Sequence, residues 1–154
     1  MIALGSDHAG FGLKKIIEKY LVDLGYEVKD YGTLVEQRCD YPIFAYKVGR
    51  AVASGEAQKG LLFCGTGVGM AIAANKIKGV RCVCCAEPYS ARLSRMHNDT
   101  NILSMGSRVV GDELAKMIVD EWLKASFEGG RHANRVALFT EIEENRDPAE
   151  KKWE

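Results

Sequence analysis

The sequence predicts an α/β fold, a three-layer α/β/α domain built on a five-stranded parallel sheet. Three observations carry that reading. Short apolar runs of strand length alternate with amphipathic runs of helical spacing. Glycine turns separate them, most visibly Gly65-Thr66-Gly67-Val68-Gly69 after the apolar run Gly60–Cys64. No internal repeat, low-complexity tract or linker interrupts the alternation, so residues 1–145 read as one domain and 146–154 as a charged tail.

The first strand is Ile2–Gly5, and the first helix runs from Gly10 to Leu24. Leu13, Ile16, Ile17, Tyr20, Leu21 and Leu24 fall on one face of it, and Gly25 is placed to stop it. Tyr26–Asp30 is the second strand. The second helix opens at Asp40-Tyr41-Pro42, where Asp40 suits an N-cap and proline suits the first turn, and reaches Gly55 through Phe44, Val48, Ala51 and Val52. Strand Gly60–Cys64 leads through the glycine turn into a third helix, Met70-Ala71-Ile72-Ala73-Ala74. Strand Val80–Ala86 is followed by a short helix from Pro88 to Arg95. Strand Asn101–Met105 is followed by a helix from Asp112 to Phe127, with Leu114, Met117, Ile118, Trp122 and Ala125 at helical spacing. A last helix begins near Ala133 and carries Val136, Leu138, Phe139 and Ile142; the charged end, Glu141–Glu154, is expected to fray into solvent.

Bulk properties narrow the function. A chain of 154 residues suffices for one well-formed core. Acidic and basic residues balance at 21 each, so no global field points to nucleic acid or a membrane surface. No apolar run approaches the ~20 residues of a membrane span, and Met1-Ile2-Ala3-Leu4-Gly5 lacks the charged start of a signal peptide. The five cysteines include the crowded Cys82, Cys84 and Cys85, which read as core packing rather than a disulfide framework or zinc site. A reducing cytoplasm is the expected location.

In parallel sheets, ligands bind at the carboxyl ends of the strands. Polar residues there are Ser6, Asp7 and His8, then Cys64 and Thr66, then Glu87 and Tyr89, then Ser107 and Arg108. Cys64 stands at a strand tip before a helix N-terminus, a setting that lowers a thiol pKa and offers N–H groups to an anion. It is either a core thiol or a reactive one. The spacing Gly65-x-Gly67-x-Gly69 departs from the dinucleotide G-x-G-x-x-G, and no Walker lysine follows, so an anion cradle fits better than a nucleotide loop. Asp7-His8 reads equally as an N-cap with a neighbouring imidazole or as a ligand pair.

His97 lies in a polar stretch ahead of the fifth strand, at the opposite end of the sheet, and needs a long loop or a second subunit to join the same site. Gly129-Gly130-Arg131-His132-Ala133-Asn134-Arg135 opens the last helix with cations where the dipole disfavours them. It is either a solvated helix start or, with Arg108, a phosphate site.

These motifs occur together and in order: Ser6-Asp7-His8-Ala9-Gly10-Phe11, Asp40-Tyr41-Pro42, Cys64-Gly65-Thr66-Gly67-Val68-Gly69, Glu87-Pro88-Tyr89-Ser90-Ala91, His97-Asn98-Asp99-Thr100-Asn101, Gly106-Ser107-Arg108 and Gly129-Gly130-Arg131-His132. To about residue 145 the chain resembles the type B ribose-5-phosphate isomerase family, which shares its Rossmann-like fold with allose-6-phosphate and galactose-6-phosphate isomerases. The resemblance implies an aldose–ketose isomerase free of metal and cofactor, working through a cis-enediolate. It implies Cys64 as the base, since the position that carries a glutamate base in another branch is Met70 here. It implies Thr66 as a proton relay between O1 and O2, the amides of Gly65, Thr66, Gly67, Val68 and Gly69 as an anion hole, His97 as the ring opener and Asp7 as a holder of sugar hydroxyls. Asn98 matches a contact to the reacting end. His8, Arg108, Arg131, His132 and Arg135 match a phosphate site, and Tyr41 lies in a motif near the site with no role assigned. The resemblance also implies a homodimer or tetramer with sites shared between subunits. A hexose-phosphate isomerase and a non-catalytic phosphosugar-binding module are the competing readings.

Overall fold

The structure, a computed structural model, describes residues 1–153; Glu154, the end of the expected tail, lies outside the described residues. The expected α/β/α architecture is present. The strands are β1 (Ile2–Ser6), β2 (Val28–Asp30), β3 (Lys59–Cys64), β4 (Cys82–Cys84) and β5 (Ile102–Gly106). The helices are α1 (Phe11–Asp23), α2 (Tyr41–Ala53), α3 (Val68–Ala74), α4 (Pro88–Asn98), α5 (Asp112–Lys124) and α6 (Arg131–Glu143). All pairings are parallel, in the order β2-β1-β3-β5-β4. The chain therefore turns back at β1 and β3, whose carboxyl ends stand side by side with Ser6 opposite Phe63.

Strand alternation builds two cores. Ile2, Leu4, Leu61, Phe63, Leu103 and Met105 face one side and pack with Leu13, Ile17 and Leu21 of α1 and Ile118 and Trp122 of α5. Ala3, Leu62, Cys64 and Ile102 face the other and pack with Phe44 and Val48 of α2 and Met70 and Ala74 of α3. Sheet and helices bury the central strands on both faces, which is why these segments read as nearly continuous apolar runs.

Several expectations need correction. The second strand starts only at Val28, because the Tyr26 N–H still bonds Leu21 O in the turn that ends α1. Asp40 occupies the N-cap position of α2 but makes no side-chain cap bond. β4 is short, and Asn75 covers its edge by taking the Cys82 N–H and donating to Cys82 O, both at 2.8 Å. The cysteines of that segment are not uniformly core: Cys85 is buried, Cys82 half-buried and Cys84 exposed. Cys82 and Cys85 stand in C-x-x-C spacing, yet they pack into opposite cores and make no joint site. The helix expected to end at Arg95 continues to Asn98, so His97 is helical rather than in a loop. The chain end does not simply fray: Arg146 and Lys151 fold back onto the buried Glu141 at 2.6 and 2.7 Å.

One charged pair fixes the segment that leads into α2. Lys14 on α1 is fully buried and donates to both oxygens of Asp30, at 2.7 and 2.8 Å, and to Thr33 O. Burial alone would raise the Asp30 carboxyl, but the bonds from Lys14, Lys15 and the Gly32 N–H outweigh it and hold it below the ordinary range. Among the described residues no helix is long and apolar enough to cross a membrane.

Candidate active site

The carboxyl ends of β1 and β3 form the first half of the site. Cys64 ends β3, its residue 5 % exposed, and its Sγ accepts the Gly67 N–H at 3.1 Å. That bond requires the chain to double back at once. Gly67 does so with φ +81°, where a side chain is strained, and a Cβ there would lie 2.8 Å from the Met105 carbonyl carbon and 2.9 Å from Cys84 Sγ. The Ser104 hydroxyl donates to Gly67 O at 2.6 Å and locks the turn onto β5. Thr66 is exposed at the rim, and its Oγ1 accepts the Val68 N–H at 3.3 Å. An exposed hydroxyl, a sulfur with an N–H aimed at it and a loop of backbone donors thus share one rim.

Neighbouring loops complete this half. Asp7 is buried, and its Oδ1 accepts the Gly10 N–H at 2.9 Å, which ties the turn leading into α1. The Cys39 N–H donates to His8 Nδ1 at 3.3 Å, which leaves the Nε2 edge for other partners. Tyr41 lies against the start of α3, where a Cβ on Gly69 would fall 2.6 Å from its ring. Arg108 reaches back over the loop, its Nη1 3.1 Å from the point a Gly65 Cβ would occupy. Ser107 Oγ donates to Ala9 O at 2.7 Å and approaches Cys64 O at 3.2 Å, tying the ends of β1, β3 and β5 together.

Three other thiols, Cys82, Cys84 and Cys85, sit along and just after β4. Burial, with nearby thiols adding to it, pushes Cys82 far up and Cys85 up to about 12. Burial, then the neighbouring Cys64 sulfur, raises Cys84. These three stay protonated near neutrality, as inert structural thiols do.

The second half stands apart. His97 lies in the last turn of α4, which runs back from the carboxyl edge for about 16 Å at 1.5 Å per residue. It meets His132 at the start of α6, ring to ring, with centroids 4.2 Å apart. Arg131 and Arg135 are exposed on the same helix start. Burial, then His97 and Arg131, lowers the His132 imidazole; Glu128 opposes this and Arg135 adds to it. Asn98 lines a groove between the end of α4 and α6, with Phe139 and Ile142. One chain therefore does not bring Arg108 together with Arg131 and Arg135, nor His97 together with Cys64. The physical reason is that α4 and α5 both run antiparallel to the strands, so the end of α4 and the start of α6 are delivered to the amino edge.

Two participants escaped sequence reasoning. Glu128 faces the Nε2 edges of both stacked histidines, and Ser107 ties the strand ends together. Glu128 lies four residues before His132, the one local signal that could have marked it.

With this geometry in place, comparison with known proteins is decisive. Residues 2–139 match the Ribose/Galactose Isomerase family. The chain belongs to that family. Among its relatives, the ribose-5-phosphate isomerase B of Escherichia coli K12 is 60% identical over 146 residues, covering 95% of this chain and 98% of that protein. The solved ribose-5-phosphate isomerase B of Clostridium thermocellum superposes with a TM-score of 0.93 at 54% identity, covering 94% of this chain and 97% of that one. The Mycoplasma genitalium enzyme, solved with bound ribulose 5-phosphate, superposes at 0.90 with 41% identity, covering 93% and 95%. Members of the Ribose/Galactose Isomerase family thus match this chain in length and in fold.

Proposed function

We propose that the chain is a ribose-5-phosphate isomerase that interconverts ribose 5-phosphate and ribulose 5-phosphate with Cys64 as base. The observation that carries this reading is the Gly67 N–H aimed at Cys64 Sγ, on a rim of loop donors. The sulfur takes the C2 proton of the open-chain aldose. The released pair forms the C1–C2 double bond, negative charge gathers on O1, and the thiol, its proton exchanging with solvent, delivers a proton to C1. Thr66 Oγ1 moves the hydroxyl proton between O1 and O2. Loop amides at Gly65, Thr66, Gly67, Val68 and Gly69 stabilise the oxyanion, each such donor contributing about 3–4 kcal/mol by deletion studies elsewhere. Asp7, Tyr41 and Asn98 hold the sugar.

Arg108, His8, Arg131, His132 and Arg135 take the phosphate, whose binding energy fixes a flexible open chain. Because these residues occupy opposite ends of one chain, the reading includes a homodimer in which the amino edge of one subunit covers the carboxyl edge of the other. His97 of one subunit then opens the furanose bound at Cys64 of its partner. Five free thiols fit a reducing cytoplasm.

The test is isomerisation of ribose 5-phosphate in deuterated water. Deuterium appearing in ribulose 5-phosphate, lost with Cys64→Ala, supports the reading. Tight binding of ribose 5-phosphate without exchange or turnover would leave a phosphosugar-binding module instead.

A further inference from the structure

His97 and His132 lie face to face, with ring planes within 7° of parallel. Glu128 Oε2 stands 3.6 Å from His97 Nε2 and 3.5 Å from His132 Nε2. The carboxylate is placed by its own backbone, since the Glu128 N–H donates at 3.0 Å to the carbonyl of Met96, the residue before His97. The turn is closed by the His132 N–H on Gly129 O, also at 3.0 Å. Glu128 is exposed, and an exposed ion pair contributes little to stability, so the fold alone gives no reason for one carboxylate to face two imidazoles. At 3.6 Å the carboxylate is beyond a direct hydrogen bond, but its negative charge favours the proton on the ring nitrogen facing it and leaves the other nitrogen to act.

We infer that Glu128 is a positioning residue that holds His97 as the Nε2–H tautomer and leaves Nδ1 to drive ring opening. The inference rests on the isomerase reading. In the step it supports, His97 Nδ1 takes the hemiacetal O1 proton and the C1–O4 bond breaks with its electron pair moving to O4. The imidazolium then returns that proton to O4. Nothing is consumed, and the product is the open aldehyde that Cys64 acts on. His132, stacked on one face of the His97 ring, keeps the ring from turning.

The same three donors lie within 4.8 Å of one another, a spacing that invites a divalent cation. The stacking argues against that use. Lone pairs lie in the ring planes, and an ion midway between near-parallel rings would sit about 2 Å out of each plane rather than in it.

The experiment combines kinetics with 15N NMR of the imidazoles in the intact protein. Glu128→Gln should lower kcat on ribose 5-phosphate roughly tenfold, part of the effect of a general acid–base group. Glu128→Asp should restore most of it. The Gln change should have no further effect in a His97→Asn background, and the His97 resonances should move from the Nε2–H tautomer to a mixture. Unchanged kcat in Glu128→Gln, an equal loss with and without His97, or unmoved His97 resonances would each overturn the inference. Activity lost to a chelator and restored by zinc would overturn it in favour of a metal site. A wild-type protein that does not turn over ribose 5-phosphate would instead sink the isomerase reading.

Discussion

The Gly67 N–H donates to Cys64 Sγ at 3.1 Å, the only hydrogen bond to that sulfur among the described residues. That donor fixes the sulfur at the rim of the glycine loop, and no side chain hydrogen-bonds to it among the described residues. Cys64→Ala and Cys64→Ser should therefore cut kcat at least about 1,000-fold while leaving thermal unfolding close to wild type. Gly67→Ala should lower both activity and stability, the latter by about 1–3 kcal/mol, because it forces a side chain into positive φ against Met105 and Cys84. Calorimetry with the coupled isomerase assay checks both.

Subunit sharing predicts complementation. Cys64→Ala and His97→Asn proteins should each be nearly inactive alone. Co-expressed as a random mixture of dimers, they should recover roughly a quarter of wild-type activity, because half the dimers then hold one intact site of two. No recovery would mean that each chain works alone.

The proposed phosphate ligands should show in KM. Arg108→Ala and Arg131→Ala act on a group that does not react, so each should raise KM for ribose 5-phosphate by about tenfold or more with a smaller change in kcat. Unchanged KM in both would return Arg131 to a solvated helix start.

The Lys14–Asp30 pair governs stability. Asp30→Asn leaves a fully buried ammonium without its carboxylate and should cost about 3–5 kcal/mol in urea unfolding. Replacing both partners by apolar residues of similar volume should cost less than that. Loss of this pair should also loosen residues 31–40 and with them the Cys39 backbone that holds His8.

Glu141 supplies an acid-sensitive latch. Bonds from Arg146 and then Lys151 lower its carboxyl from 4.5 to about 2. The folded value lies below the unfolded one, so the stabilisation is complete above about pH 4.5 and fades as pH falls towards 2. The Trp153 indole resonance should shift in that window, and Glu141→Gln should reproduce the shift at neutral pH.

The features legible in the sequence are the local ones. Leu61, Leu62 and Phe63 fill both cores, so their strand is plain in the sequence, and the glycines directly after Cys64 mark the strand end on which it stands. The placement of β5 between β3 and β4 was not legible, since strand order is decided by distant packing and leaves no local mark. The His97–His132 stack joins residues 35 apart on different helices, beyond any helical period. The tie from Glu141 to Lys151 was missed because charge in a terminal segment reads as solvation until a buried partner is seen.

The 11-residue span of α4 carries His97 to the pole of the chain opposite Cys64. On the shared-site reading proposed above, a lone subunit is a pair of unmatched tools, and turnover per molecule becomes subject to mass action. Progressive dilution should then silence the protein while every chain is still folded, with activity and sedimentation falling together.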